Sequence, residues 1–240
     1  MAARLVRSEQ GVKVWSLIGS GDSRRVEAML KLYAELFPLY AHYLPRMRRR
    51  AEFAEEHRTG HLVHYWLAEV DDQPAAIRSF RYVHGRHVGL AHALAVDPEF
   101  REVKVSGQRL SMFLVQECLA QIMEDAALLN GGPALGMVNE VDSERLMEHY
   151  ARNGIIRLPV AYSEPIFPAE ARGRTRDEEV EMIHFAARRL GFLPNPQSGV
   201  TTYSGELTTN FVLAFLVDHY GLPMSHPQVQ AALNSIPVSL

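Results

Sequence analysis

Three groups of residues in this 240-residue chain have the types and spacing to do chemistry. Tyr150 stands shortly before Gly154, in Tyr-Ala-Arg-Asn-Gly-Ile, at the end of a short helical pattern. A phenol can act as a general acid there, because that work needs a donor held beside the leaving atom rather than an acidic solution pKa. His92 lies in the apolar run Val88 to Val96, where alternation puts it on the face of Leu90, Leu94 and Val96, with Ala91, Ala93 and Ala95 opposite. Its imidazole titrates in the range a base needs near neutrality, although a lone histidine on an apolar face also serves as a hydrogen-bonded core residue. The stretch Leu94-Ala-Val-Asp-Pro-Glu-Phe-Arg101 then runs through Glu102, Val103, Lys104, Val105, Ser106 and Gly107 into a helical pattern. Free N–H groups at a helix start attract anions. Lys104 adds a formal charge, and Ser106 reads both as an anion ligand and as a plain helix cap.

Other chemistries find no support. His61 and His64 fall on opposite faces of a strand pattern, and His84, His87 and His92 span a turn, so no zinc-ligand spacing emerges. There is no nucleophile elbow, Walker loop or dinucleotide fingerprint. The single cysteine, Cys118, excludes an intrachain disulfide and implies a reducing, cytoplasmic setting. It shares a helical face with Leu110, Leu114 and Ile122, which points to burial rather than nucleophilic catalysis. With 25 Lys+Arg against 28 Asp+Glu, the net charge of -3 creates no field favouring nucleic acid or an anionic membrane. Arg46 to Arg50 is the densest basic run and reads as a solvated helix face. Neither a signal peptide nor a membrane-length apolar run is visible.

The elements that must position these residues can be read from periodicity and punctuation. Val12 to Ile18 alternates as a first strand, and Gly19 to Ser23 supplies turn and cap chemistry for a helix burying Val26, Met29, Leu30, Tyr33 and Leu36. Pro38 and Pro45 bracket an aromatic stretch ahead of a second helix ending near Thr59-Gly60. His61 to Val70, Ala75 to Val83 and Val88 to Val96 read as an antiparallel meander with short turns. A helix from Ser106 to about Leu129 is stopped by Asn130-Gly131-Gly132-Pro133. A strand over Ala134 to Val138, a helix over Ser143 to Asn153 and a strand region from Ile155 to Ile166, broken at Pro159, follow. Beyond Phe167, a capping box at Thr175 and Glu178 opens a helix with Val180, Ile183, Ala187 and Leu190 on one face, stopped by Gly191. Helices from Glu206 to Tyr220 and after a Ser225 cap complete the chain. The class is α+β, a mostly antiparallel sheet with helices.

The Leu94 to Arg101 stretch, the Tyr150 to Gly154 ending and the element order together resemble the GCN5-related N-acetyltransferase (GNAT) superfamily, over roughly residues 12 to 166. The resemblance implies the GNAT fold, a mixed, mostly antiparallel central sheet flanked by helices, in an acyltransferase domain over residues 1–167. Residues 168–240 would form a C-terminal helical extension packed on the same domain. It implies that Leu94 and Val96 pair with the pantetheine arm of acetyl-CoA or another acyl-CoA, and that Arg101 opens the pyrophosphate loop. The family's R-x-x-G-x-G/A glycines fall here on Lys104 and Ser106, or with one inserted residue on Val105 and Gly107. On either count the first glycine is replaced.

Further, the resemblance makes Tyr150 the acid that protonates the leaving thiolate. His92 becomes the base for the amine, with Glu69, Glu140 or a water relay as alternatives. The aromatic connection holding Tyr40, Tyr43 and Arg46 becomes the acceptor site, Arg46 reading either as partner of an acceptor carboxylate or as a surface charge. The implied activity is N-acyl transfer from acyl-CoA to a small-molecule amine by direct attack in a ternary complex, without a metal, nucleic acid or membrane. The altered loop also admits an acyl carrier protein as donor, or a non-catalytic acyl-CoA-binding module. The C-terminal helices could mediate a homodimer or dock such a carrier.

Overall fold

The computed structural model describes residues 2–53, 61–129, 132–168, 176–200 and 204–237. The helix end expected at Thr59-Gly60 and the cap expected at Thr175 lie outside them, as do Asn130 and Gly131. The chain divides into two interleaved compact units, residues 1–82 with 91–121 and residues 83–90 with 122–240.

The first unit begins with a hairpin in which β1 (Arg4–Glu9) is unanticipated and β2 (Val12–Ser16) falls on the expected first strand. Helix α1 (Ser23–Leu36) follows, its Asp22 cap accepting from the Arg25 N–H, then a 3-10 stretch Pro38–Tyr43 and α2 (Leu44–Glu52). Strands β3 (His61–Val70), β4 (Gln73–Val83) and β5 (Val88–Val96) match the expected meander. The β3–β4 turn holds Asp71 and Asp72 at φ 48° and 64°, the left-handed pair that a type I′ hairpin requires. In this unit the strand order is β1-β2-β3-β4-β5. Helix α1 buries Val26, Met29, Leu30 and Tyr33 against Leu67, Ile77 and Ala93, its amphipathic stripe matched to the alternating inward positions of the strands.

Helix α3 (Leu110–Leu128) starts later than the expected Ser106. Residues before it form a two-stranded ribbon, β6 (Lys104–Val105) and β7 (Gln108–Arg109), turning through Ser106 and Gly107. Cys118 is buried in α3.

In the second unit, β5 contributes its first residues, followed by β8 (Gly136–Val141), α4 (Glu144–Ala151), β9 (Ile156–Arg157) and β10 (Tyr162–Ile166). The helix expected from Thr175 to Gly191 is overturned. Only α5 (Arg176–Glu181) is helical, and β11 (His184–Pro194) replaces the rest. Val180, Ile183, Ala187 and Leu190 do fit a helical face, but β11 is hydrogen-bonded on both sides. Its first half pairs with β10, from Ile166↔His184 to Tyr162↔Arg188, and its second with β8, from Arg189↔Val141 to Pro194↔Gly136. Tertiary pairing outweighs a weak local preference. Gly191 is no helix stop: a Cβ there would lie 2.8 Å from the Ile155 side chain.

The last segments are α6 (Gly205–Leu213), a π-helical turn Ala214–His219 and α7 (Pro227–Asn234). The α7 cap is His226, whose side chain accepts from the Gln228 N–H, and not Ser225. Pro227 takes the first helical position, so its predecessor must cap. Phe211, Phe215 and Leu216 are fully buried against Val138, Leu190 and Phe192, and the Phe192 and Phe211 rings lie 4.6 Å apart.

Gly136 opens β8 at φ +149°, and an added Cβ would fall 2.3 Å from the Leu193 carbonyl and 2.9 Å from the Asn195 nitrogen. Backbone cannot yield as a side-chain tip can, so Gly136→Ala is expected to destabilise the fold by about 2–3 kcal/mol. Urea unfolding monitored by circular dichroism checks this. An unchanged midpoint would show that the strand start has room. Among the described residues, no helix is long and apolar enough to cross a membrane.

Candidate functional site

At the end of β5, Leu94 and Val96 are half-buried. The Asp97 side chain caps a 3-10 turn, Pro98–Phe100, by accepting from the Glu99 N–H at 2.9 Å. Arg101 then folds back, its Nε donating to the Val96 carbonyl at 3.4 Å. Beyond it the ribbon departs from the expected phosphate cradle. Ser106 and Gly107 occupy a left-handed turn, φ 49° and 81°, rather than a helix start. The Ser106 N–H donates to Gln10 Oε1 at 2.8 Å, and its hydroxyl donates to the Glu9 carboxylate. That hydroxyl, with Arg7, holds the Glu9 carboxyl below its usual range. A carboxylate and an amide oxygen of this chain thus take the two donors that Ser106 offers. Val105 is buried, Lys104 is exposed, and Arg109 pairs with Glu102 at 3.1 Å.

Tyr150, half-buried, lies in the last turn of α4, a helix capped at its start by the Ser143 side chain. The helix ends in a Schellman motif: the Ile155 N–H donates to the Tyr150 carbonyl and the Gly154 N–H to the Ala151 carbonyl, both at 3.2 Å, with Gly154 at φ +86°. The Tyr-x-x-x-Gly spacing therefore has a backbone cause. Glycine stops the helix at a set distance after the tyrosine, which fixes where the phenol leaves the helix.

His92 is half-buried, with both ring nitrogens out of solvent. Burial, then the charges of Arg81, Arg46, Arg78 and Arg50, hold its pKa well below the ordinary 6.5, so the ring is neutral at pH 7. A neutral imidazole has a lone pair for a proton, and the arginines weaken it as a base. The acceptor residues expected from sequence come together: Tyr40 and Tyr43 stack at 6.4 Å, and the Arg46 guanidinium lies 4.8 Å above the Tyr43 ring. Glu69, by contrast, is committed elsewhere. Fully buried, it accepts from Trp15 at 2.7 Å, Arg24 at 2.9 Å and Arg25 at 3.2 Å. His92 and the loop and acceptor residues belong to the first unit, and Tyr150 to the second. Among the described residues no cluster of His, Cys, Asp and Glu could hold a metal ion.

No family model matches the sequence, and no curated protein matches it. Solved structures do. An acetyltransferase assigned to the GNAT family, from Bacteroides thetaiotaomicron, matches with a TM-score of 0.53 and 16% identity, over 88% of this chain and 99% of its own. The chain has the GNAT fold. Its likeness to the Bacteroides protein extends well past residue 166, where the sequence resemblance ends, and so takes in C-terminal elements. The Salmonella typhimurium acetyltransferase that modifies the N-terminal serine of ribosomal protein L7/L12 matches at 0.49, 12% identical, over 80% of this chain and 99% of that one. The PaiA N-acetyltransferase of Thermoplasma acidophilum, solved with coenzyme A, matches at 0.42, 14% identical, over 62% and 92%.

On this GNAT fold the second unit carries a polar network that sequence reasoning missed apart from Glu140. The Tyr162 hydroxyl donates to one Glu140 oxygen, and the Tyr220 hydroxyl lies 2.8 Å from the other and 3.3 Å from Glu164. Arg188 binds Glu164 at 2.8 Å and Asp142 at 3.1 Å. Burial and the neighbouring Glu164 charge push the Glu140 carboxyl well above its ordinary range. Alternation in Tyr162-Ser163-Glu164 places its tyrosine and glutamate on one face. Nothing local announces Arg188 or Tyr220, because the first reads as helical and the second comes from the chain's far end.

Proposed function

We propose that this protein is an N-acyltransferase that moves an acetyl or other acyl group from acyl-CoA to the amine of a small acceptor. The observation that carries the reading is the GNAT fold combined with a phenol, Tyr150, set by a glycine-terminated helix end. In the proposed reaction the neutral amine attacks the thioester carbonyl while both substrates are bound. The carbon–nitrogen bond forms, the carbon–sulfur bond breaks, and the Tyr150 hydroxyl gives its proton to the departing thiolate. His92, neutral and out of solvent, is the candidate that takes the amine's proton. Leu94, Val96 and Arg101 are assigned to the donor side, with Lys104, Val105, Ser106 and Gly107 on the adjoining ribbon. Tyr40, Tyr43 and Arg46 are assigned to the acceptor.

One observation favours a second reading of the donor. Ser106 donates both its N–H and its hydroxyl to Gln10 and Glu9, which leaves the ribbon turn poorly suited to a pyrophosphate. A carrier protein presents its acyl group on pantetheine without the adenosine pyrophosphate. The test offers the purified protein acetyl-CoA, or an acetylated carrier protein, with a panel of small amines. Free thiol and product mass are followed. One amide formed per thiol released is the expected result, and a lower KM for the carrier-bound group would select the second donor. Stoichiometric acyl-CoA binding with no turnover on any amine would make the protein a binding module instead.

A further inference from the structure

Helix α2 packs four arginines into nine residues, Arg46, Arg48, Arg49 and Arg50. Arg48 is neutralised by Glu27 and, at 3.7 Å, by Glu52. Arg46 and Arg50 are different. They stand four residues apart, on one helix face, where like charges repel, and neither has a carboxylate partner among the described residues. Their neighbours are aromatic. The Arg46 guanidinium lies over Tyr43, itself stacked on Tyr40, and Arg50 Nη1 is 3.5 Å from the Tyr65 hydroxyl. The Arg46 guanidinium, held over an aromatic face, keeps its outer N–H groups aimed at whatever approaches, and Arg50, which donates one N–H to the Tyr65 hydroxyl, has further N–H groups to offer, an arrangement suited to carboxylate or phosphate recognition.

Among the described groups that act most strongly on His92 and Tyr33 there is no carboxylate. The groups acting on His92 from the packed elements are Arg46 and Arg50 of α2 with Arg78 and Arg81 of β4. The ionisable groups that act on buried Tyr33 of α1 are Tyr40, Tyr43, Tyr65 and Arg46. Positive potential therefore converges on an imidazole that stays neutral, within the acceptor cluster of the first unit. An amine bearing an acidic group would be drawn in by that potential, and its anion would offset the charges that weaken His92 as a base.

We propose that Arg46 and Arg50 bind an anionic group of the acceptor, a carboxylate or a phosphate, so that the substrate is an amine that also carries an acid. This rests on the acyltransferase reading for the word substrate but not for the anion site. The test therefore has two arms. In the first, succinate and inorganic phosphate are titrated into the protein by calorimetry at constant ionic strength, with sodium chloride as the blank. Saturable binding of one probe is expected, weakened at least tenfold in Arg46→Gln/Arg50→Gln, weakened less in Arg46→Lys, which keeps the charge but loses the planar fork, and kept in Lys31→Gln, which removes an exposed charge elsewhere. Thermal melts establish that each variant is folded.

In the second arm glycine is compared with glycinamide, and O-phosphoethanolamine with ethanolamine, as acyl acceptors. The acidic member of one pair should show a KM at least tenfold lower, an advantage lost in the double variant with kcat changed less. The pair that shows it separates carboxylate from phosphate. If no amine is acylated, the acyltransferase reading fails while the titration still decides the site. Binding no stronger than the chloride blank, or variants that bind as wild type does, would overturn the proposal.

Discussion

Replacing Tyr150 by Phe is expected to lower the acyl-transfer rate well over tenfold while donor affinity stays close to that of the unaltered protein. A positioned general acid contributes on the order of a hundredfold to ten-thousandfold, so loss of the phenol proton should appear in kcat. Phe keeps the ring and leaves untouched the two hydrogen bonds that end α4, since these use the Tyr150 and Ala151 carbonyls. The Ser143 cap is equally indifferent to the change. Stability should therefore move little, and a steady-state assay with a thermal melt separates the alternatives. A large drop in melting temperature with unaltered kcat would assign the hydroxyl to structure. Loss of rate at a constant melting temperature supports the acid, and a loss expressed wholly in donor Kd would move Tyr150 to binding.

Much of the frame around that tyrosine can be read from sequence because local chemistry and tertiary need agree. The β3–β4 turn is legible in Asp71-Asp72, residues that tolerate the left-handed backbone a tight hairpin demands. Ser143 and Gly154 mark both ends of α4 for similar reasons. Where local and global preferences diverge, legibility is lost. Strand β1 is almost wholly exposed and lacks the alternation that announces a half-buried strand, so only its pairing with β2 defines it. β11 carries a helical spacing that pairing on both edges overrides.

The β6–β7 ribbon is an intermediate case. Ser106 before an apolar run reads as a cap, yet Ser-Gly between Val105 and Gln108 is also a turn dipeptide, and the structure uses the second meaning. Its partners, Glu9 and Gln10, lie almost a hundred residues away in sequence and could not have been found by local reasoning. The same limit hides Arg50's place beside Tyr65, whereas Tyr40, Tyr43 and Arg46 are close enough in sequence to be grouped in advance.

The buried pair Glu140 and Glu164 leads to the other large expected effect. Glu140 has a folded pKa raised well above 4.5, chiefly by burial and next by the Glu164 charge, so the folded chain holds a proton that the unfolded chain releases more readily. This stabilisation is fully present below the unfolded value and is lost as pH rises through the folded one. Each unit of difference is worth about 1.4 kcal/mol. Stability should thus fall as pH climbs from 5 to 8, and Glu140→Gln, whose amide oxygen can accept from one of the two tyrosines while its NH2 donates to the hydroxyl of the other, should flatten the profile.

Arg188→Met acts on the same network from the other side. It leaves Glu164, whose side chain is 9% exposed, without its cation, which should cost about 3 kcal/mol. Because the Arg188 charge also lowers the Glu140 pKa, the sensitive pH range should extend upward in this variant. Denaturation midpoints across the pH series measure both effects. A flat profile in the unaltered protein would mean that Glu140 is ionised throughout, and a neutral Arg188→Met would mean that Asp142 and solvent, rather than the buried carboxylate, hold the guanidinium. If both effects appear, Tyr220 at the end of the C-terminal π-helical turn is bound to strands β8 and β10 through a shared proton, and the C-terminal segment is held to its unit by charge as well as by the Phe211 and Phe215 core.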